Sequence, residues 1–370
     1  MTNRKKKRKL KKSIKRILFG IISIILIIFI ARFAIDKYEI HQLKEIGYQT
    51  TSIKTIDQLR LRKILIKRGE YSQSLDNALQ TGEVYLDYLD LYFIRDEVTL
   101  EITQVYQRLE NNGYTQEALE VLFSQLNFRE LTPLLVFDFQ EDVNPYIEDV
   151  IRNRDRNVNQ FILTNSYYTP YEQPLLADIT QNYNILVTKT YQLPQDYTIP
   201  LTNVSIGCRM RMMQLETETA RAFESMCADM QLLGMKIASN SGYRDYNQQQ
   251  ETYNSIIADY GTTQGEQRVA RPSFSEHETG LAVDIASLSN PDVPFVDSKE
   301  SDWLMQNAHH YGFILRYQKG YEQITGVQFE AWHYRYVGVE LATKVFESGL
   351  TFDEYYLLYL KPLPEVNNGH

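Results

Sequence analysis

The alternation of apolar and polar positions divides the chain into stretches of different kinds. Ile17 to Ala31, ILFGIISIILIIFIA, is apolar without interruption; Arg32 breaks the run, and Phe33, Ala34 and Ile35 extend it. About 20 apolar residues cross a bilayer as a helix, and residues 17–35 approach that length if Arg32 snorkels its charge to the interface. After this run the pattern turns helical. In GYTQEALEVLFSQL (113–126), Ala118, Leu119, Leu122 and Leu126 fall on one face behind Thr115, a candidate N-cap. GYQTTSIKTIDQL (47–59) starts in the same way, so residues 36–180 read as helical hairpins. The tyrosine-rich VYLDYLDLYF (84–93) reads as core and interface packing. The polar, proline-bearing NSYYTPYEQP (165–174) sets a domain boundary near 180.

Beyond that boundary strands and helices interleave without a regular βαβ beat. Strands are expected over 183–193, 236–244, 312–317 and 329–338, and helices over 214–234, 246–259, 301–311 and 338–348. The fold class expected is α+β, with a mainly antiparallel sheet and flanking helices, preceded by a helical region and one transmembrane helix. The partition is a basic tail (1–16), an anchor (17–35), a helical extracellular region (36–180) and a catalytic domain (181–370).

Charge sharpens the membrane reading. Residues 1–16 hold ten Lys/Arg and no acid, and the other 29 Lys/Arg face 47 Asp/Glu. A basic tail ahead of an apolar run fixes that end in the cytoplasm. The expected location is therefore the cell membrane, single-pass, with the remainder extracellular; nucleic acid is not an expected partner. A cleaved signal peptide is the rival reading, disfavoured by the length of the run and the lack of a small-x-small site after it. The two cysteines, Cys208 and Cys227, read as free thiols. With a helix starting at 214, the six residues before it would have to run straight back along it to bring the pair together.

Chemistry concentrates late in the chain. Of six histidines, His41 is near the apolar run and His370 is last, while His277, His309, His310 and His333 lie within 57 residues. SEHETGLAVD (275–284) supplies His277 and Asp284, and EAWH (330–333) supplies His333 with Glu330 three residues before it. Two imidazoles and a carboxylate suit zinc, leaving a fourth position for water and leaving Glu330 free as general base. Gly280 allows a tight change of direction between His277 and Asp284. Glu330 and His333 point to opposite faces of an ideal strand, so facing one metal requires a turn or bulge there. His309 and His310 read as structural or surface residues.

These blocks together resemble the VanY-type zinc carboxypeptidases, the D-alanyl-D-alanine and LD-carboxypeptidases of bacterial cell walls. Ser275, His277, Gly280, Ala282 and Asp284 match the family's Ser-x-His-x-x-Gly-x-Ala-x-Asp motif. SGYRDYNQQ (241–249), YGFILRY (311–317), ITG (324–326), WHYRYVG (332–338) and GLTFDEY (349–355) flank it in the family's order. The resemblance covers about half the chain, 183–356. It implies that His277, Asp284 and His333 bind Zn2+ and that Glu330 is the catalytic base. It also implies that Arg244 stabilises the oxyanion, that Gln249 contacts the peptide, and that Ser275 bonds the substrate near its terminal carboxylate. Peptidoglycan stem peptides are the implied substrate, with loss of the terminal D-alanine as the reaction. An LD-carboxypeptidase or a non-catalytic wall-binding protein would share the fold, and the oligomeric state is left open. Two positions depart from the family: Ser273 stands where glycine is usual, and Ala331 where proline is usual. If position 273 needs positive φ, Ser273 strains the turn; at 331 a fixed φ is lost, which loosens Glu330.

Overall fold

The structure, a computed structural model, describes residues 2–136, 142–154, 171–172, 174–290 and 292–362. Most of the boundary segment 165–174, and His370, lie outside these residues. The chain forms two compact units, 1–103 and 104–370, which meet within one helix.

In the first unit α1 (Thr2–Ile46) contains Leu18–Ile46, long and apolar enough to cross a membrane. His41 pairs with Glu45 on its exposed surface. Three short helices follow: α2 (Thr50–Gln58), α3 (Arg62–Arg68) and α4 (Gln73–Thr81). The α4 start is fixed by Ser72, whose Oγ accepts from Leu75 N at 3.0 Å. The tyrosine-rich stretch becomes a 3₁₀ segment, Leu86–Phe93, with Leu91 and Tyr92 buried, as packing requires.

The second unit opens with α5 (Leu100–Asn111), which carries over from the first, then α6 (Gln116–Gln125), α7 (Phe128–Leu131) and α8 (Asn144–Asn153). Thr115 caps α6 as expected, its Oγ accepting from Ala118 N at 3.2 Å, and Leu119, Leu122 and Phe123 are buried. The compact unit thus joins these helices to the sheet domain.

Among the described residues the sheet domain holds eight short strands. β1 (Leu175–Leu176) pairs parallel with β2 (Tyr191–Gln192), and β3 (Leu201–Asn203) antiparallel with β4 (Gln214–Glu216). The central sheet has the order β5 (Ile237–Ser241), β6 (Ala282–Ser287), β8 (His333–Tyr336), β7 (Phe313–Leu315), every pair antiparallel. Helix α9 (Thr217–Leu232) lies on it, burying Phe223, Met226 and Met230 in one core with Ile237, Val283, Ile285, Phe313 and Tyr334. Each such side chain, fully buried, contributes about 1.5–3 kcal/mol. The remaining helices are α10 (Tyr246–Gly265), α11 (Lys299–Asn307), α12 (Glu322–Thr325), α13 (Val339–Ser348) and α14 (Phe352–Tyr355). The α+β architecture and strands β5, β7 and β8 are as the pattern indicates; β6, which carries Asp284, is a strand the pattern did not indicate.

Two expectations fail. The strand over 183–193 is absent except for Tyr191–Gln192; Ile179–Asn184 is a 3₁₀ turn, and Ile185 and Val187 plug a small core against Leu281. The carbonyls a strand partner would have bonded go elsewhere. Arg335 donates to Tyr183 O and Ile185 O at 2.9 and 2.7 Å. The buried apolar run therefore needs no sheet neighbour.

The cysteines also pair: Cys208 and Cys227 form a disulfide, with Cα atoms 6.2 Å apart. Helix α9 starts at Thr217, three residues later than the pattern suggests, because 214–216 are spent on β4. The β3–β4 hairpin then carries residues 204–213 back along α9. Ser205 N donates to Glu224 Oε1 at 2.7 Å, setting Cys208 beside Cys227 one turn on. A cross-link spanning 19 residues contributes about 3 kcal/mol by the loop-entropy relation. Cys227→Ser is expected to lower unfolding free energy by about that amount. Chemical denaturation should show reductant producing the same loss in wild type and no further loss in the variant.

Candidate metal centre

The site is assembled where β6 and β8 run side by side. Asp284 and His333 are cross-strand partners in this register, so the sheet alone brings two expected ligands together. His277 arrives from a 3₁₀ turn, Glu276–Thr279, which Ser275 opens: its Oγ accepts from His277 N at 3.3 Å. Gly280 closes the turn at φ +69°, the left-handed conformation glycine tolerates, and a Cβ there would lie 3.0 Å from Glu216 N. Glu330 precedes the strand in a turn closed by His333 N to Glu330 O at 3.3 Å. This turn resolves the parity problem of two residues three apart facing one point.

The ring nitrogens are sorted by their outer partners. His277 Nδ1 sits 2.7 Å from Gly242 O and donates to it, which turns Nε2 toward Asp284 Oδ2, 3.4 Å away. His333 Nε2 sits 3.4 Å from Glu276 Oε2, which turns Nδ1 toward Asp284 Oδ1 at 3.2 Å and Glu330 Oε2 at 3.5 Å. The donor atoms of His277, Asp284 and His333 all lie within 4.8 Å of one another. Asp284 Oδ1 is buried yet accepts no hydrogen bond. A buried acceptor without a donor, facing two imidazole nitrogens whose other nitrogens are held, fits a divalent cation.

Electrostatics agree. Burial, with the nearby Arg244 charge, pushes His277 below its ordinary value, keeping it a neutral ligand. Burial would raise Asp284, but His277 and His333 outweigh it and hold the carboxylate well below the usual range. Burial would lower His333, but Asp284 and Glu276 carry it up to about 9. A cation would therefore displace a proton from His333 on binding. Burial pushes Glu330 up to about 7, against the opposing pull of His333.

Around the candidate ligands is a layer the sequence pattern did not reveal. Glu276 is buried, and Arg316 Nε and Arg335 Nη1 each donate to its Oε1 at 2.8 Å. Arg316 Nη1 also donates to Asp353 Oδ2 at 2.6 Å. Burial would raise Glu276, yet the two guanidiniums and His333 hold it well below the carboxylate range. In sequence the only signal was the recurrence of charge inside otherwise apolar blocks, in GFILRY and WHYRYVG.

The other expected residues divide. Arg244 lies at this site: its N–H donates to His277 O at 3.2 Å, and the charges of Asp284 and Glu330 bear on its guanidinium. Gln249 is fully buried with its amide engaged at both ends. Oε1 accepts from Arg244 Nε at 2.9 Å, and Nε2 donates to Ala270 O at 2.8 Å. It therefore props Arg244 rather than offering a free contact to a peptide. His309 stacks on Phe346, ring centroids 4.0 Å apart, and His310 packs against His309; neither joins the ligand set. Ser273 does adopt φ +70°, so the strain expected there is present.

An α+β domain carrying a three-ligand His–Asp–His centre with a carboxylate beside it has the make-up of a single-zinc hydrolase. A family model described as VanY, D-alanyl-D-alanine carboxypeptidase, matches residues 212–339. The chain is 34% identical over 209 residues to YodJ of Bacillus subtilis, named as a carboxypeptidase, covering 54% of this chain and 77% of that one. It is 36% identical over 181 residues to a D-alanyl-D-alanine carboxypeptidase of Enterococcus faecalis, covering 46% and 64%. Among solved structures, the LdcB LD-carboxypeptidase matches at 34% identity with a TM-score of 0.44, covering 50% of this chain and 89% of that one. The chain belongs to the VanY family, whose members are zinc metallo-carboxypeptidases.

Two substitutions test the architecture. Ser273→Gly is expected to stabilise the fold by about 1 kcal/mol, because glycine adopts positive φ without the penalty serine bears; a rise in the thermal midpoint checks it. Glu276→Gln leaves Arg316 and Arg335 facing a neutral amide in the interior. Calorimetric zinc titration should show affinity lowered about 10–100-fold, with unfolding free energy lower by about 3–5 kcal/mol.

Proposed function

We propose that the chain is a membrane-anchored zinc D,D-carboxypeptidase that removes the terminal D-alanine from peptidoglycan stem peptides, its catalytic domain on the outer face of the cytoplasmic membrane. The observation that carries this reading is the convergence of His277 Nε2, Asp284 and His333 Nδ1 with the Glu330 carboxylate 3.5 Å from His333. The apolar helix Leu18–Ile46 behind a basic tail supports the anchor. The catalytic domain taken for this purpose is 181–370, with 36–180 as the extracellular helical region.

His277, Asp284 and His333 would hold the ion, which supplies Lewis acidity that brings the ionisation of water near neutral pH. Glu330 takes the proton from the attacking water and returns it to the leaving amine. Burial suits it to that exchange, since a base near the working pH gives up its proton as readily as it takes one. Arg244, braced by Gln249, offers its guanidinium to the charge developing on the scissile carbonyl oxygen. Ser275 accepts from His277 N and keeps its O–H to donate to the substrate's terminal carboxylate.

The deciding assay supplies purified pentapeptide and tetrapeptide stems and reads the products by mass. Loss of one D-alanine from the pentapeptide is expected. Cleavage of the tetrapeptide alone would make this an LD-carboxypeptidase, and no cleavage of either would leave a wall-binding protein. Glu330→Gln should retain stoichiometric zinc by elemental analysis and lose hydrolysis by about 10²–10⁴-fold; full activity in that variant would remove the base from the mechanism. Protonated Glu330 cannot accept a proton, so kcat/KM should fall with unit slope as pH drops through its pKa. That value is about 7 in the metal-free protein, and a nearby cation lowers it. The pH–rate profile of the zinc enzyme should therefore show its acid limb at or below neutrality.

A further inference from the structure

A cavity of about 390 Å³ lies between the end of α5 and the chain beyond α14, within residues 104–370. It shares no lining residue with the His277–Asp284–His333 cluster. Its walls include Arg108, Asn111, Leu135, Leu357, Lys361 and Pro362. Its polar side chains are two cations, Arg108 and Lys361, and the amides of Asn111 and Asn112. Arg108 is fixed against the wall, donating through Nε to Leu358 O at 3.0 Å and through Nη2 to Lys361 O at 2.8 Å. Lys361 Nζ donates to Tyr191 Oη at 3.1 Å. Asn111 Nδ2 is buried and has no hydrogen-bond partner among the described residues.

Among the described residues the two cations also lack a counter-charge: no carboxylate pairs with either, and none lines this cavity. Burial, and then the charge of Arg108, pushes the Lys361 ammonium down. An adjoining space of about 240 Å³ has Asp353 on its wall, but that carboxylate is spent on Arg316. Half-buried like charges are costly, and an unpaired buried donor adds to the cost. A fixed guanidinium, an ammonium and an amide N–H converging on one space are what an oxyanion needs. Leu135, Leu357 and Pro362 add an apolar floor large enough for a short hydrocarbon portion.

We propose that this cavity is a binding site for a small oxyanion, a carboxylate or a phosphate, held by Arg108, Lys361 and Asn111. Binding is read without turnover, so the test stands apart from the peptidase reading. Full-length, zinc-loaded protein in detergent is titrated calorimetrically with inorganic phosphate and with propionate, with propionamide as the neutral control, and melted with and without each. Saturable binding of at least one oxyanion is expected, with a melting midpoint that rises with its concentration. Arg108→Gln and Lys361→Met should each weaken binding by at least about tenfold, the scale of one lost charge-assisted hydrogen bond. Asn111→Asp sets a carboxylate against the two cations. It should raise the midpoint without ligand and abolish the effect of phosphate and propionate, and it keeps the test decisive if Arg108→Gln fails to fold. No saturable binding of either oxyanion overturns the proposal. So does binding unchanged by Lys361→Met, which would locate the anion at zinc, or propionamide binding as tightly as propionate.

Discussion

A carboxylate with no access to water organises this catalytic domain. Glu276 sits in the turn that carries His277, and it is reached from β8 by Arg335, from the end of β7 by Arg316, and from His333 by a ring nitrogen. Arg316 and Arg335 offset Glu276 and Asp353, so the four charges sum to zero. Glu276 holds Nε2 of His333, so a cation that displaces the other ring proton meets the Nδ1 lone pair. Removing any one member leaves an uncompensated interior charge. The cluster is best understood as a device for geometry: it fastens the turn bearing one ligand to the strand bearing another. The same Arg335 reaches outward to the carbonyls of Tyr183 and Ile185, so the segment leading into the domain is held by that cluster as well.

Strain is placed next to this cluster and countered locally. Ser273 is held at φ +70°, and the conformation persists because Glu278 accepts from its N–H at 2.8 and 3.0 Å and from Ser275 N at 3.3 Å. Ser273 O in turn accepts from Leu193 N at 2.8 Å. The serine's conformational cost is thus offset by a buried carboxylate that belongs to the same turn as His277. Gly242 is constrained in a different way: a Cβ there would lie 2.7 Å from Gln214 O, and its own carbonyl fixes the tautomer of His277.

What the sequence made legible follows from which physics is local. His277, Gly280 and Asp284 sit within eight residues, and Glu330 and His333 within four, so residue type and spacing suffice to propose a metal centre. Glu276, Arg316, Arg335 and Asp353 could not be read in the same way. Arg335 alternates with Tyr334 and Tyr336 in a strand, a pattern that assigns a charged position to solvent unless its partners are known. Those partners lie 59 residues away at Glu276 and about 150 away at Tyr183 and Ile185. The same long-range bonds explain the missing strand at 183–193. The disulfide was hidden by a smaller error: a three-residue shift in the start of α9 reverses the conclusion about whether Cys208 can reach Cys227. The resemblance implied that Gln249 contacts the peptide, but motif matching cannot tell a side chain with a free amide from one whose amide is spent on Arg244 and Ala270.

The placement of the candidate ligands and of Glu330 also follows from backbone geometry. Asp284 and His333 lie opposite each other in a sheet whose register is pinned by a buried face, and slipping it by one residue would turn both side chains away from the site. Side chains placed in this way are held rigidly. Glu330 stands outside the strand, in the turn that His333 N closes. A turn is less constrained than a paired strand, and where the family usually has proline this chain has Ala331. Here the limits come from hydrogen bonds instead. Glu330 N donates to Tyr317 O at 3.2 Å, His333 N closes back onto Glu330 O, and Ala331 is itself buried. Two backbone bonds and burial do the work of a fixed φ, so losing the ring at 331 need not cost the placement of Glu330.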